Sequence, residues 1–425
     1  MMLEQVRLPL RHRAFRAVWC GETLSMLGDY SFEVAFVWLV FQETGSAGAL
    51  AAVLLVQTVP RGVLLLVGGA VTDRVSPRTV MLCSHLVRGT AVGLLGLLAV
   101  MDGVQVWHLY ALGAVAGVAE AFFMPAQDSI LPSLLPTEQI PRGNALVGFG
   151  EQGARFLGPL LGASLVGLVG TPAAILLNSG TFFVAAWTVL AAPRRGAGGE
   201  GEESKPISVI GHEIVDGLRY VRRSREVRTV LMIIGAAALS YSGLFAVGLP
   251  ALAKSFPQDS MALGLLLSAW GLGQLAGTVA AVFTGLPRRW GILIIGMTLT
   301  EGVTFVLLGV LPNVWLAATV LALLGVGVAY SSDVALPTFI QTRTPEDVLG
   351  RINSVMYLPR VVLEPVSLAV MGLLVTGDLR WAFAAAAVPV LAVGIRLAFD
   401  REARGLTTAK EPQPAGATSA TGTTG

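Results

Sequence analysis

Twelve stretches of this chain are each long and apolar enough to cross the hydrocarbon core of a bilayer, which takes about 20 residues of helix. They lie at 15–42, 48–71, 79–101, 106–126, 144–169, 172–192, 229–252, 261–284, 290–311, 314–340, 352–376 and 380–400. The breaks between them are turn sequences, such as Gly45-Ser46, Gly170-Thr171-Pro172, Leu311-Pro312-Asn313 and Thr376-Gly377-Asp378. Of the 425 residues 54% are hydrophobic and 13% charged, where soluble proteins carry about 25% charged residues. Lipid is therefore the solvent for most of the chain. Backbone groups in lipid must be satisfied within their own segment, so the spans are helices and the fold class is an all-α integral membrane protein. The basic start runs straight into a full-length span, which is not the pattern of a cleavable signal.

Lysine and arginine positions set the orientation. With the N-terminus taken as cytoplasmic, twenty-two basic residues fall in cytoplasmic segments and only Lys254 and Arg380 in outer loops. That bias implies an even number of spans with both termini cytoplasmic, in a cell (inner) membrane. The long polar insertion at 193–228 divides six spans from six. Its first part reads as a flexible linker. Its second places Ile210, Ile214, Leu218 and Val221 at helical spacing, as in an amphipathic helix on the membrane surface. The expected domains are a six-helix bundle at 1–192, this cytoplasmic linker at 193–228, a second six-helix bundle at 229–400 and a disordered cytoplasmic tail at 401–425.

The halves also repeat one another. Pro136, Glu138, Arg142 and Asn144 parallel Pro345, Asp347, Arg351 and Asn353 at an offset of 209. Six spans repeated in one orientation place the symmetry axis along the membrane normal. Parallel repeats of this kind suit a carrier whose halves rock around a site at mid-depth.

Between spans two and three the chain reads Gly69-Ala-Val-Thr-Asp73-Arg74-Val-Ser76-Pro77-Arg78. This resembles the cytoplasmic loop motif of the major facilitator superfamily, with Ser76 and Pro77 in place of a glycine and a basic residue. Gly158-Pro159-Leu-Leu-Gly162 in span five resembles an element of that superfamily's drug:proton antiporters, with Ala163 at the final glycine. Gly28-Asp29 resembles the branch of macrolide- and multidrug-type exporters. The resemblance covers about residues 12–400. It implies the major facilitator fold, a central cavity lined by spans 1, 4, 7 and 10, and secondary active transport driven by the proton gradient. In the loop motif, Asp73, Arg74 and Arg78 can make charge-assisted hydrogen bonds across the seam between halves. The positive-inside rule alone also accounts for the arginines, though not for Asp73.

Ionisable groups at membrane depth cost at least ~2.5–3.5 kcal/mol on insertion scales and so face a cavity or a partner. Asp29 lies about 20 Å along span one and Arg61 about 18 Å from Asp73 along span two. They can meet at one level and act as a proton switch, or stand as a permanent pair. Glu33 faces an outer vestibule, either as a solvated carboxylate or in a direct role. Glu120, lone at the middle of span four beside Phe122, suits a cationic amphiphile or a proton; the bland alternative is a pair with Arg155. At the repeat offset Glu151 maps onto Arg360 and Arg155 onto Glu364, so each half carries an i,i+4 pair with exchanged signs, self-satisfied or attracting across a seam. Asp333, near the inner end of span ten, is expected to join the cytoplasmic gate; Glu301 has no assignment. Phe36, Phe122, Tyr241, Phe245 and Tyr330 are cavity candidates, although single aromatics more often pack helices.

None of Lys205, Lys254 and Lys410 follows a glycine, so there is no Walker A loop and no ATP-driven pump. Gly148-Phe-Gly150-Glu-Gln-Gly153 matches a dinucleotide fingerprint but lies inside a span, where it serves packing. No metal site, cofactor, nucleotide or nucleic-acid partner is expected, and the chain is not read as an enzyme. The expected partners are a small-molecule cargo, protons and the bilayer, with the chain working as a monomer. The leading reading is a proton-coupled antiporter that exports hydrophobic or cationic small molecules by alternating access. An importer or lysophospholipid-type carrier on the same fold, or a non-transporting membrane receptor or enzyme, is the alternative.

Overall fold

A computed structural model describes residues 8–193, 225–284, 290–335 and 346–405. The first half comprises α1 (Arg13–Thr44), α2 (Ala47–Arg74), α3 (Pro77–Val100), α4 (Val106–Leu134), α5 (Ile140–Val169) and α6 (Thr171–Val189). In the second, α7 runs through Arg225–Gly243, a π-helical turn at Leu244–Gly248 and Leu249–Lys254. It is followed by α8 (Ser260–Thr284), α9 (Trp290–Leu308), α10 (Val314–Val328, continued by a π-helical segment at Ala329–Ala335), α11 (Glu346–Leu374) and α12 (Leu379–Phe399). The expected linker and surface helix fall outside the described residues up to Arg225, which opens α7. Most of the expected tail lies outside them as well, although Arg401–Gly405 forms a short helix where disorder was expected.

The helix ends follow from the turn residues. Gly45 takes a left-handed conformation (φ 66°), and its N–H donates to the Phe41 carbonyl to close α1. The Ser46 hydroxyl then accepts from the Ala49 N–H to open α2, and Asn313 and Asp378 cap α10 and α12 in the same manner. The largest boundary error concerns α4, which runs to Leu134 rather than 126. Pro125 lacks the N–H that would satisfy the Ala121 carbonyl, but the helix continues, and Gly68 of α2 packs against that carbonyl.

Eleven helices among the described residues are long and apolar enough to cross a membrane. The twelfth, α11, carries Glu346, Asp347, Arg351, Arg360 and Glu364, but at 29 residues it is about 43 Å long and ample for a crossing. Its packing confirms its place. In the first half α1 packs on α5 and α6, α2 on α4, and α3 on α6; in the second α7 packs on α11 and α12, α8 on α10, and α9 on α12. Adding six to each helix number turns one set into the other. This is the major facilitator architecture of two six-helix bundles in parallel repeat. Glycines bring the paired helices together: Gly117 of α4 lies against the Gln57 carbonyl of α2, and Gly277 of α8 against the Val326 carbonyl of α10.

The halves meet along two seams, α5 with α8 and α2 with α11, which exchange under the same operation. At the face away from the termini Lys254 Nζ donates to the Gly45 carbonyl at 3.3 Å and sits 5.0 Å from the centre of the Phe41 ring. Further in, the Leu160 N–H donates to the Ser268 hydroxyl at 3.0 Å.

Candidate functional site

Arg61 stands at the middle of α2 and Glu120 at the middle of α4, each about 20 Å from either end of its helix. The close approach of α2 to α4 brings Arg61 Nη1 to 3.2 Å from Glu120 Oε1. Its other terminal nitrogen, Nη2, lies 2.7 Å from Glu364 Oε1 on α11, in the opposite half. One guanidinium thus bridges two carboxylates across the α2–α11 seam, with all three side chains 20–27% exposed. Counted as ions, the group carries one excess negative charge.

This geometry corrects three expected pairings. Asp29 does not pair with Arg61: its Oδ2 is 2.8 Å from Nη2 of Arg88 on α3, and Asn178 of α6 donates to its Oδ1 at 3.4 Å. Counting residues gives a depth along a helix but not an azimuth, and α2 turns Arg61 toward α4 and α11. The Arg88 guanidinium lies 4.3 Å from the Phe182 ring centre and 5.5 Å from that of Phe123, which holds it toward α1. Glu120 is not paired with Arg155. Finally, the second intrahelical pair is absent, since Arg360 is exposed and Glu364 takes Arg61 instead.

The other intrahelical pair is formed, with Arg155 Nη2 at 2.8 Å from Glu151 Oε1. Arg155 also crosses the second seam: its Nη1 donates to Gln274 of α8 at 2.9 Å, and its Nε to the Tyr30 hydroxyl at 3.2 Å. Pro159 frees the Arg155 carbonyl from the helix ladder, and Gly271 of α8 packs against it. Gly158 and Gly162 of the same motif lie against Tyr30 and the Ser31 carbonyl of α1, and the Ser31 hydroxyl donates to the Gly158 carbonyl at 2.9 Å. The motif is thus the joint between α5, α1 and α8.

The remaining candidates are scattered. Glu33 is exposed, whereas Phe36 is buried and stacked on Phe32. Phe122 lines an apolar groove of about 600 Å³ with residues of α2 and α3, including Val71 and Cys83. Tyr241 and Phe245 form an aromatic cluster with Trp270 and Phe305 inside the second half. Tyr330 accepts a hydrogen bond from the Thr284 hydroxyl at 3.2 Å, at the terminal end of α8. In the loop motif Gly69 faces open space and Arg74 is exposed. Among the described residues Arg78 makes no hydrogen bond across a seam; it donates to the Leu190 carbonyl at 2.8 Å, the negative end of α6. The side chains of Asp73 and Asp333 lie outside the described residues. Sequence reasoning missed Arg88 and Gln274 as partners, and also the pair between Glu22 and His85, 2.8 Å apart.

Comparison with known proteins agrees with this architecture. Residues 6–400 match the family described as transmembrane secretion effector. The multidrug efflux pump Tap of Mycolicibacterium fortuitum is 27% identical over 391 residues, covering 89% of this chain and 93% of that one. The enterobactin exporter EntS of Salmonella typhimurium is 26% identical over 365 residues, covering 85% of each. Among solved structures, a POT family transporter in complex with 5-aminolevulinic acid superimposes with a TM-score of 0.72 at 12% identity, covering 92% of this chain and 96% of that one. The nucleoside transporter NupG gives 0.66 at 11% identity, covering 89% and 98%. These two likenesses establish the fold. Because the family match begins before α1 and ends with α12, the chain belongs to the transmembrane secretion effector family, and it is a multi-pass membrane transporter of the major facilitator superfamily and not an enzyme.

Proposed function

We propose that this transporter is a proton-coupled antiporter that exports hydrophobic or cationic small molecules by alternating access. The observation that carries the reading is Arg61 held between Glu120 and Glu364 at mid-depth, where the halves meet. Two carboxylates with one guanidinium leave one negative charge unmatched in a medium of low dielectric. A proton on Glu120 or Glu364 neutralises it, and so does a cationic cargo. Since one positive charge suffices, the two compete, and competition for a shared site is the minimal requirement of antiport. The Arg61–Glu364 contact also has to break when the α2–α11 seam opens, which ties the charge state to the motion of the halves.

Among the described residues the hydrogen bonds across the seams run from the face away from the termini to mid-depth, and on this reading the conformation is open toward the terminal side. With the termini cytoplasmic, as the basic residues suggest, that side is where an exporter collects cargo. The names of the relatives, a multidrug efflux pump and an enterobactin exporter, support the same direction. Asp29, held by Arg88 and Asn178, serves on this reading as a structural pair, and Glu120 and Glu364 carry the exchange.

The test is transport of ethidium in proteoliposomes under an imposed pH gradient. The wild type should move the dye against its gradient at the expense of protons, and Glu120→Gln should lose at least tenfold of that activity. Equal transport with the gradient collapsed by an ionophore would overturn the coupling. A gradient that drives dye only in the opposite direction would favour an importer.

A further inference from the structure

The first half holds a second ionisable pair that the charge bridge does not touch. His85 of α3 is fully buried, and its Nε2 lies 2.8 Å from Oε1 of Glu22 on α1. Its Nδ1 has no hydrogen-bond partner among the described residues. Phe123 of α4 and Phe182 of α6 enclose the ring, with centroids 5.0 and 6.0 Å away. Glu22, itself buried, lines a cavity of about 190 Å³ between α1, α3, α4 and α5, with Trp19, Thr23, Asp128, Asn144 and Glu151 also in its wall.

A purely structural buried imidazole is expected to use both ring nitrogens, since buried polar atoms are nearly always hydrogen-bonded. This one uses a single nitrogen, and its partner is a carboxylate. An ionised Glu22 beside a neutral ring leaves one charge without a counter-ion inside the bundle. One added proton, on the ring or the carboxyl group, removes that charge while keeping the 2.8 Å hydrogen bond.

The surrounding charged groups are otherwise engaged or face the cavity. On α3 Arg88 is bound to Asp29 of α1 at 2.8 Å. On α5 Glu151 is bound to Arg155 at 2.8 Å. On α4 Asp128 stands in the cavity wall. The sequence of α6 carries no charged residue.

We propose that Glu22 and His85 form a proton-binding site in the first half, loaded through the cavity beside Glu22 and separate from the Arg61 bridge. The ligand is the proton itself, and the cavity supplies the path by which it reaches an otherwise sealed imidazole. The site does not rest on antiport: a carrier that moved cargo without protons would still bind one here.

Histidine-selective ¹⁵N NMR of the full-length protein in lipid nanodiscs tests this without any transport measurement. The chain has four histidines, His12, His85, His108 and His212, and the signal missing in His85→Gln assigns the ring. The His85 ring-nitrogen signals should respond to a change of pH, and Glu22→Gln should alter that response. A His85 signal that does not respond to pH, or the same response in wild type and Glu22→Gln, overturns the proposal. Should Glu22→Gln fail to fold, the wild-type titration decides alone.

Discussion

Arg155 and Glu364 occupy equivalent positions in the two repeats, 209 residues apart, and each reaches across a seam to the opposite half. Arg155 of α5 donates to Gln274 on α8, and Glu364 of α11 accepts from Arg61 on α2. The repeat has kept a contact across the seam at this position while exchanging the charge of the side chain that makes it. One seam is thereby joined by an ion pair and the other by a charge-to-amide hydrogen bond, so the two respond differently to neutralisation.

Glu364→Gln should therefore weaken the α2–α11 seam far more than Gln274→Ala weakens the other. Arg61→Met should be worse than either, because it leaves Glu120 and Glu364 facing each other without a cation. Breaking a fully buried pair costs about 3–5 kcal/mol; with these groups a quarter exposed, about 2 kcal/mol is expected. Thermal unfolding in one detergent, compared across the three variants, checks the order.

Asp29→Asn should lower thermal stability while leaving the response of transport to the pH gradient in place. The substitution strands Arg88 between Phe123 and Phe182. The double variant Asp29→Asn with Arg88→Met should recover part of the loss, with a coupling of about 1–3 kcal/mol between neighbouring sites. Loss of gradient response in Asp29→Asn at unchanged stability would return this carboxylate to the proton path.

Gly117→Ala should destabilise the protein by about 1–3 kcal/mol, the usual range for overpacking, because the added methyl meets the Gln57 backbone. Gly148→Ala should be neutral or slightly stabilising, since nothing lies within 4 Å of the added carbon. Expression level and melting temperature of the two variants side by side decide this.

Lys254→Met should loosen the contact between the halves at the face away from the termini. Lys254 holds the Gly45 carbonyl, which ends α1, and a cation there also complements the helix dipole. Gly48 and Thr376 face each other across the same face, a carbon added at Gly48 lying 3.6 Å from the Thr376 methyl. With Cys20 and Cys83 replaced, a disulfide between Gly48→Cys and Thr376→Cys should form readily in the Lys254 background and several-fold more slowly once Lys254→Met is added.

Helix number and most helix ends were legible in the sequence because both depend on local chemistry: runs of apolar residues, and caps such as Ser46, Asn313 and Asp378. The expected stop near residue 126 failed because Pro125 breaks helices in water, whereas in this bundle a neighbouring helix packs on the carbonyl it exposes. The charged residues were equally visible, but their partners were not. Arg61 could be placed at mid-depth by counting, yet whether it met Asp29 or Glu120 depended on the rotation of α2, which α4 and its glycines determine. Glu364 lies 303 residues from Arg61, and its intrahelical neighbour Arg360 gave a plausible local partner that the fold does not use. Glu22 and His85 are each visible as ionisable residues within a span, but their pairing was hidden for the same reason.

The contact of Gly271 with the Arg155 carbonyl has a mechanical consequence. Where a proline has released a carbonyl and a glycine covers it, main chain meets main chain with no side chain between them at that point. For the proposed alternation between states, such a point offers no side chain to displace, and the polar contacts beside it, Arg155 with Gln274 among them, become the ones that must be exchanged.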